Sequence, residues 1–313
     1  MNKTSPTCLQ LLSTLAVLGF SCTLASSQTA GPWITDFQQA KKTAASEKKD
    51  IALLFTASDW LDLAKTFDEK ILNQPDFTQQ ASIHYVLVRL DFPKEPQQQN
   101  RQTTTQNQLL MRAYRVRGLP TLVLSDELGR PYAITGYHDG GLTAWLEEFN
   151  QLRLTREKRD RLFAEAKKEQ GIKRAELLSQ ALPDLPGNIA ARFYRNVIDE
   201  IIQLDPDNKS GRVDYYQALV ADVLYSDQMQ KLVRSGDDEK MLALSDRYLK
   251  AGGLSDAAKQ SVLFNQLGIH QKQKNTELAK KTLKQIIAID PQSPAGKQAS
   301  QLLGEISPSA KQN

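Results

Sequence analysis

The chain has 313 residues, 40% of them hydrophobic and 24% charged, with a net charge of +4. That is the balance of a soluble folded protein, and the length predicts two domains rather than one. Basic residues alternate with acids, as in Lys158-Arg159-Asp160-Arg161, which marks solvated helix faces and argues against a nucleic-acid partner.

Residues 1–25 read as an export signal. Lys3 is the only charge, an apolar stretch runs from Leu9 to Phe20, and Thr23-Leu24-Ala25 offers small residues for cleavage. That stretch is too short to span a membrane, and no other segment could. As an alternative, Gly19-Phe20-Ser21-Cys22 resembles a lipoprotein processing site, which would give Cys22 a lipid anchor. Either route leads out of the cytoplasm. The bacterial periplasm is the expected location, with a lipoprotein or a secreted form as alternatives. Cys8 and Cys22 are the only cysteines, so the mature chain is expected to hold no free thiol.

Trp33 to Lys48 has helical spacing, with Trp33, Ile34, Phe37, Ala40 and Ala44 on one side. Ile51 to Phe55 is a continuous apolar run, as expected of a strand covered on both faces. Ser58 or Asp59 is placed to cap a helix running to about Leu72. His84 to Leu90 reads as a second strand, Glu95 to Gln106 as a polar surface loop, and Asn107 to Tyr114 as a helix. Leu119 to Leu124 leads into a strand, Glu127-Leu128-Gly129-Arg130 forms a hairpin turn, and Tyr132 to Thr135 returns. An amphipathic helix over Gly140 to Leu152 closes this half.

The order of these elements, with Ala52-Leu53-Leu54-Phe55-Thr56-Ala57-Ser58-Asp59-Trp60, Leu90-Asp91-Phe92-Pro93, Tyr114-Arg115-Val116-Arg117-Gly118-Leu119-Pro120-Thr121 and Gly136-Tyr137, resembles the thioredoxin-like superfamily, and in particular its exported bacterial members. The resemblance covers about 120 residues and implies an α/β domain over 31–152, a central mixed sheet flanked by helices. It makes Pro120 the family's cis-proline. It also places the family's two redox cysteines at Leu61 and Ala64, in the stretch Trp60-Leu61-Asp62-Leu63-Ala64-Lys65. Carbon side chains can neither attack a disulfide nor form one. Phe55 stands where many relatives keep a buried acid. Disulfide oxidoreductase activity is therefore not expected. Trp60, Leu61, Leu119 and Pro120 are the candidate peptide-binding residues.

From Thr155 onward the pattern is helical throughout, giving an all-α helical-hairpin domain over 155–305 and a short disordered tail over 306–313. Helices are expected over Thr155–Gln170, Ala190–Leu204, Val213–Val233, Met241–Leu249, Asp256–Gln271 and Glu277–Ile289. Leu267-Gly268, then Ala279, Leu283 and Ile286, with Asp290-Pro291 at the end, resemble one tetratricopeptide unit. The stops Asp205-Pro206 and Asp290-Pro291 are not spaced by that repeat's period, so an irregular hairpin array is expected.

His84, His138 and His270 are scattered without ligand spacing, so no metal site is expected. No phosphate loop, dinucleotide fingerprint or serine elbow is present, and no cofactor or catalytic residue is assigned. Two readings of function follow. One is a redox-inactive module of the cell envelope that binds protein or peptide clients or serves as a scaffold. The alternative is a component of thiol-disulfide exchange that holds a substrate for a cysteine-bearing partner.

Overall fold

A computed structural model describes residues 32–306. The expected signal peptide, the Cys22 lipidation alternative and the tail beyond 306 fall outside these residues.

The β-branched and leucine-rich runs make a sheet. β1 (Trp33–Ile34), β2 (Asp50–Thr56), β3 (Tyr85–Asp91), β4 (Thr121–Ser125) and β5 (Pro131–Thr135) lie in the order β1-β3-β2-β4-β5. β1, β3 and β2 are parallel, while β4 and β5 run antiparallel to their neighbours. β2 lies at the centre, with Leu53 opposite Val88 on one side and Val123 on the other. Its alternation feeds two cores. Ile51, Leu53 and Phe55 pack with Phe37, Ala40 and Ala44 of α1 (Phe37–Glu47) and with Tyr114. Ala52 and Leu54 pack on the other face with Phe67, Phe77, Trp145 and Phe149. There the Trp145 ring sits 5.4, 5.6 and 5.3 Å from Phe67, Phe77 and Phe149, close enough for edge and stacked contacts to add to the burial.

Several expected elements differ. Trp33 and Ile34 form β1 rather than the start of a helix, because Asp36 caps α1 by accepting from the Gln38 and Gln39 amides. The helix after β2 is α2 (Asp62–Phe67), followed by a π turn over Asp68–Leu72. Leu61 is its N-cap, and neither Ser58 nor Asp59 caps it. A further helix, α3 (Pro75–His84), precedes β3, so His84 ends a helix instead of lying on a strand. The expected polar loop over Glu95–Gln106 instead supplies most of the first two turns of α4 (Arg101–Ala113). Its polarity has structural uses. Asn100 caps the Thr103 amide, and Gln106 accepts from the Phe37 amide and donates to the Thr35 carbonyl. The two helices expected on either side of residue 153 are one, α5 (Gly141–Ala166), which leads from the sheet into the helical half.

That half contains α6 (Gly171–Ala181), α7 (Gly187–Phe193), α8 (Arg195–Leu204), α9 (Val213–Ser235), α10 (Asp238–Ala251), α11 (Asp256–Lys272), α12 (Thr276–Ile289) and α13 (Pro294–Ile306). It is all-helical and has three successive small cores, the arrangement of a chain in which each hairpin packs on its neighbours. Leu267, Ala279, Leu283 and Ile286 share the last of these. A Cβ at Gly268 would meet nothing within 4 Å, whereas one at Gly296 would fall 2.0 Å from the Asp290 carbonyl oxygen. The close approach is thus at the turn into α13.

The helix expected over Ala190–Leu204 breaks at Tyr194, and the break coincides with docking onto the sheet. Tyr194 donates to the Pro131 carbonyl (2.7 Å) and accepts from the Arg159 guanidinium (2.9 Å). Arg159 of α5 is 2% exposed and also reaches the fully buried Asp126 carboxylate at 3.1 Å. Phe193 packs at a tilt against Tyr114, with ring centroids 4.6 Å apart. Breaking a buried ion pair from one side strands the other charge. Arg159→Leu is therefore expected to cost about 3 kcal/mol in urea-unfolding free energy, and Tyr194→Phe about 1 kcal/mol. An Arg159→Leu protein as stable as the parent would contradict this role.

Candidate functional site

β2 and β3 end where β4 begins and β5 ends: Phe55 pairs with Thr121, Thr56 with Asp91, and Leu122 with Thr135. The connections at that end of the sheet are Ala57–Leu61, Phe92–Lys94, Gly118–Pro120 and Gly136–Asp139. All of the sequence-predicted site residues except Ala64 lie on these connections.

The first connection is held by carboxylates. Asp91 accepts from the Ser58 amide (2.9 Å), the Ser58 hydroxyl (2.6 Å) and the Phe92 amide (3.1 Å). Asp59 accepts from the Lys94 amide at 3.1 Å. Asn107 donates to the Asp91 carbonyl at 2.9 Å, tying α4 to the same point. These bonds consume the two residues expected to cap α2. Between them Trp60 is 46% exposed, yet its indole N–H donates to the Phe92 carbonyl at 2.9 Å. The ring is therefore both presented to solvent and fixed in direction.

Leu61 is half-buried at the head of α2, and its carbonyl accepts from the Ala64 and Lys65 amides at 3.0 and 3.1 Å. Ala64, one turn further, is 1% exposed. Leu119 is half-buried and packs on the core that contains Phe55. The Leu119–Pro120 bond is cis, and Pro120 is buried. A Cβ on Gly136 would come within 3.1 Å of the Pro120 carbonyl oxygen, a tight approach. Trp60, Leu61, Leu119 and Pro120 thus share one end of the sheet, with Ala64 buried behind.

His138 lies on the fourth connection, half-exposed. Its Nε2 is 2.6 Å from Glu148, which also accepts from the Thr135 hydroxyl at 2.9 Å. His270 is buried in α11, far along the chain from His138. Among the described residues, no three His, Cys, Asp or Glu side chains converge as a metal site would require, and no helix is long and apolar enough to cross a membrane.

The marked shifts in acidity cluster at the opposite end of the sheet. Tyr132 donates to Asp50 and accepts from Tyr85 at 3.0 Å. Burial pushes the Tyr85 hydroxyl up to about 12 and raises the Asp50 carboxyl, the latter against the pull of the Arg156 guanidinium. This is a buried structural network, as perturbed groups outside a cleft often are. Sequence spacing gave no sign of the Asp91 cradle, because its partners are 33 residues apart.

The thioredoxin-like domain family model matches residues 37–150. The disulfide bond reductase DsbH of Chlamydia pneumoniae is 32% identical over 112 residues, which is 36% of this chain and 67% of that protein. The solved structure of a DsbH oxidoreductase is 30% identical, covering 38% of this chain and 82% of its own, with a TM-score of 0.37.

If the Asp91 cradle sets the presentation of Trp60, removing it loosens residues 57–61. Asp91→Ala is expected to cost about 2 kcal/mol of stability and to speed amide hydrogen exchange across Ala57–Leu61 while leaving β2 protected. Unchanged exchange in that connection would contradict the role given to the carboxylate.

Proposed function

This chain belongs to the thioredoxin-like family, and we propose that it serves thiol-disulfide exchange in the bacterial cell envelope without redox chemistry of its own. It holds a polypeptide for a cysteine-bearing partner. The observation that carries this reading is the pair Leu61 and Ala64. One is half-buried at the start of α2 and the other is buried one turn on, at the positions where the resemblance places an attacking and a resolving thiol. Neither can form the thiolate that such exchange requires. What remains is an apolar spot beside a fixed, exposed indole, with the Leu119 backbone at the same end of the sheet. Those are elements suited to an extended peptide. Similarity to a protein named a disulfide bond reductase favours this over a scaffold with no link to thiol chemistry. On this reading the protein is a holder and not a disulfide reductase. The helical half, read as tetratricopeptide-like, supplies a second protein-binding surface.

The holding role is tested with an unfolded polypeptide carrying one disulfide and a separate thioredoxin-type enzyme. The chain alone is expected to leave the disulfide intact, and to accelerate its reduction when the enzyme is present. Trp60→Ala and Leu61→Asp are expected to weaken binding of the polypeptide about tenfold each. Equal reduction rates with and without the chain would overturn the proposal. A second experiment addresses the frame itself. The double variant Leu61→Cys/Ala64→Cys is expected to form an internal disulfide and to gain reductase activity toward insulin. A double variant that folds and forms that disulfide but lacks activity would show that the surrounding residues no longer support the chemistry.

A further inference from the structure

A second cleft lies where the two halves meet. The link between α4 and β4 carries Arg115 and Arg117, with Arg112 in the last turn of α4. Together with Arg192 of α7 and Arg234 of α9 they line a cleft of about 470 Å³. Asp227 of α9 is the only acid in its wall, and it pairs with Arg192 at 2.5 Å. The positions of Arg112 and Arg234 near helix C-termini let them balance the helix dipoles, so those two alone would call for no ligand. Arg192 likewise lies in the last turn of α7 and is paired with Asp227, whereas Arg115 and Arg117 have no such account.

Arg115 sits in the left-handed region (φ 53°), which is disfavoured for a residue with a Cβ. Its guanidinium crosses the junction and donates to the Ser226 hydroxyl at 2.9 Å. The Nε atoms of both Arg115 and Arg192 are buried and have no hydrogen-bond partner among the described residues. Buried donors of this kind normally find one. Burial and the neighbouring Arg192 and Arg117 charges lower the pKa of the Arg115 guanidinium, against the opposite pull of Asp227. Five guanidinium groups sharing one carboxylate around a cleft are relieved by a bound anion.

Arg115 and Gln230 also line an adjoining cleft of about 440 Å³, whose walls include Val223, Met229, Val233 and Ala258. Both volumes fall in the range of small-ligand sites, about 300–1,000 Å³. We propose that the junction is a binding site for an oxyanion, carboxylate or phosphate, on a ligand whose apolar part occupies the adjoining cleft. The site is separate from the Trp60 end of the sheet, and the proposal does not depend on the role given to that end.

The test is isothermal titration calorimetry of the full chain with inorganic phosphate, hexyl phosphate and hexanol. Hexyl phosphate is expected to bind about tenfold more tightly than inorganic phosphate, hexanol not to bind measurably, and added sodium chloride to weaken binding. The exposed pair Arg117→Gln/Arg234→Gln is expected to lower affinity about tenfold with unchanged circular dichroism. Arg115→Gln, checked for folding in the same way, is expected to abolish binding. Trp60→Ala is expected to leave it unchanged. No saturable binding of hexyl phosphate below about 1 mM, equal binding of hexanol, or indifference to Arg117→Gln/Arg234→Gln would each overturn the proposal. A short apolar peptide and its C-terminal amide then identify the source. Competition with hexyl phosphate by the free-carboxylate form alone supports the site and assigns the anion to a polypeptide terminus. Competition by neither supports it as a site for a small amphiphilic anion.

Discussion

The Arg159 guanidinium is the point on which the two halves of this molecule turn. A charge this deep is tolerable only when its partners are in place. Burial works against the Arg159 cation, but Tyr194, Asp126 and Asp160 more than offset it and raise its pKa. The Tyr132, Phe163 and Tyr194 rings lie 6.0, 6.0 and 5.9 Å from its central carbon. Asp126 in turn accepts from the Leu128 and Arg130 amides and from the Arg130 side chain, which shapes the β4–β5 turn. One ion pair therefore ties together a hairpin turn, the middle of a long helix and the break between two others.

The parts of the fold legible in the sequence are those set by one local property. β2 through β5 show as apolar runs because each is buried, and most helices of the second half show their period, though α6 and α13 are not among those expected. What was hidden depends on partners far away in sequence. Trp33 and Ile34 fit a helical stripe by spacing and become a strand because β3 offers backbone partners. The Gln- and Thr-rich stretch looks like a loop by polarity, but its side chains cap α4 and satisfy the backbone near α1. Tyr194 fits the face of one helix, and the helix breaks where its hydroxyl reaches Pro131.

The same division holds for the candidate sites. Trp60, Leu61, Leu119 and Pro120 could be picked out because they lie in short motifs. The carboxylates that fix Trp60 in place could not, since Asp91 works through residues on another strand connection. The five arginines of the junction cleft come from three separate stretches between 112 and 234, and read singly as solvated charges. Arg115 and Pro120 belong to one short link. The helical half, by gripping Arg115 through Ser226, thereby also anchors the approach to Pro120 and β4.

Under the proposed holding role, the carbon side chains of Leu61 and Ala64 have a kinetic meaning as well as a chemical one. In a dithiol site, a client can be caught in a covalent bond and let go when the second sulfur attacks, so its residence follows thiolate fraction and ambient potential. A polypeptide seated against Leu61 can form no such bond. It arrives and departs by contact formation and loss alone, and its dwell time is an off-rate set by apolar area and hydrogen bonds. Under the proposed holding role, occupancy at this end of the sheet would be insensitive to the electron supply of the compartment and would respond to how much unfolded chain is present.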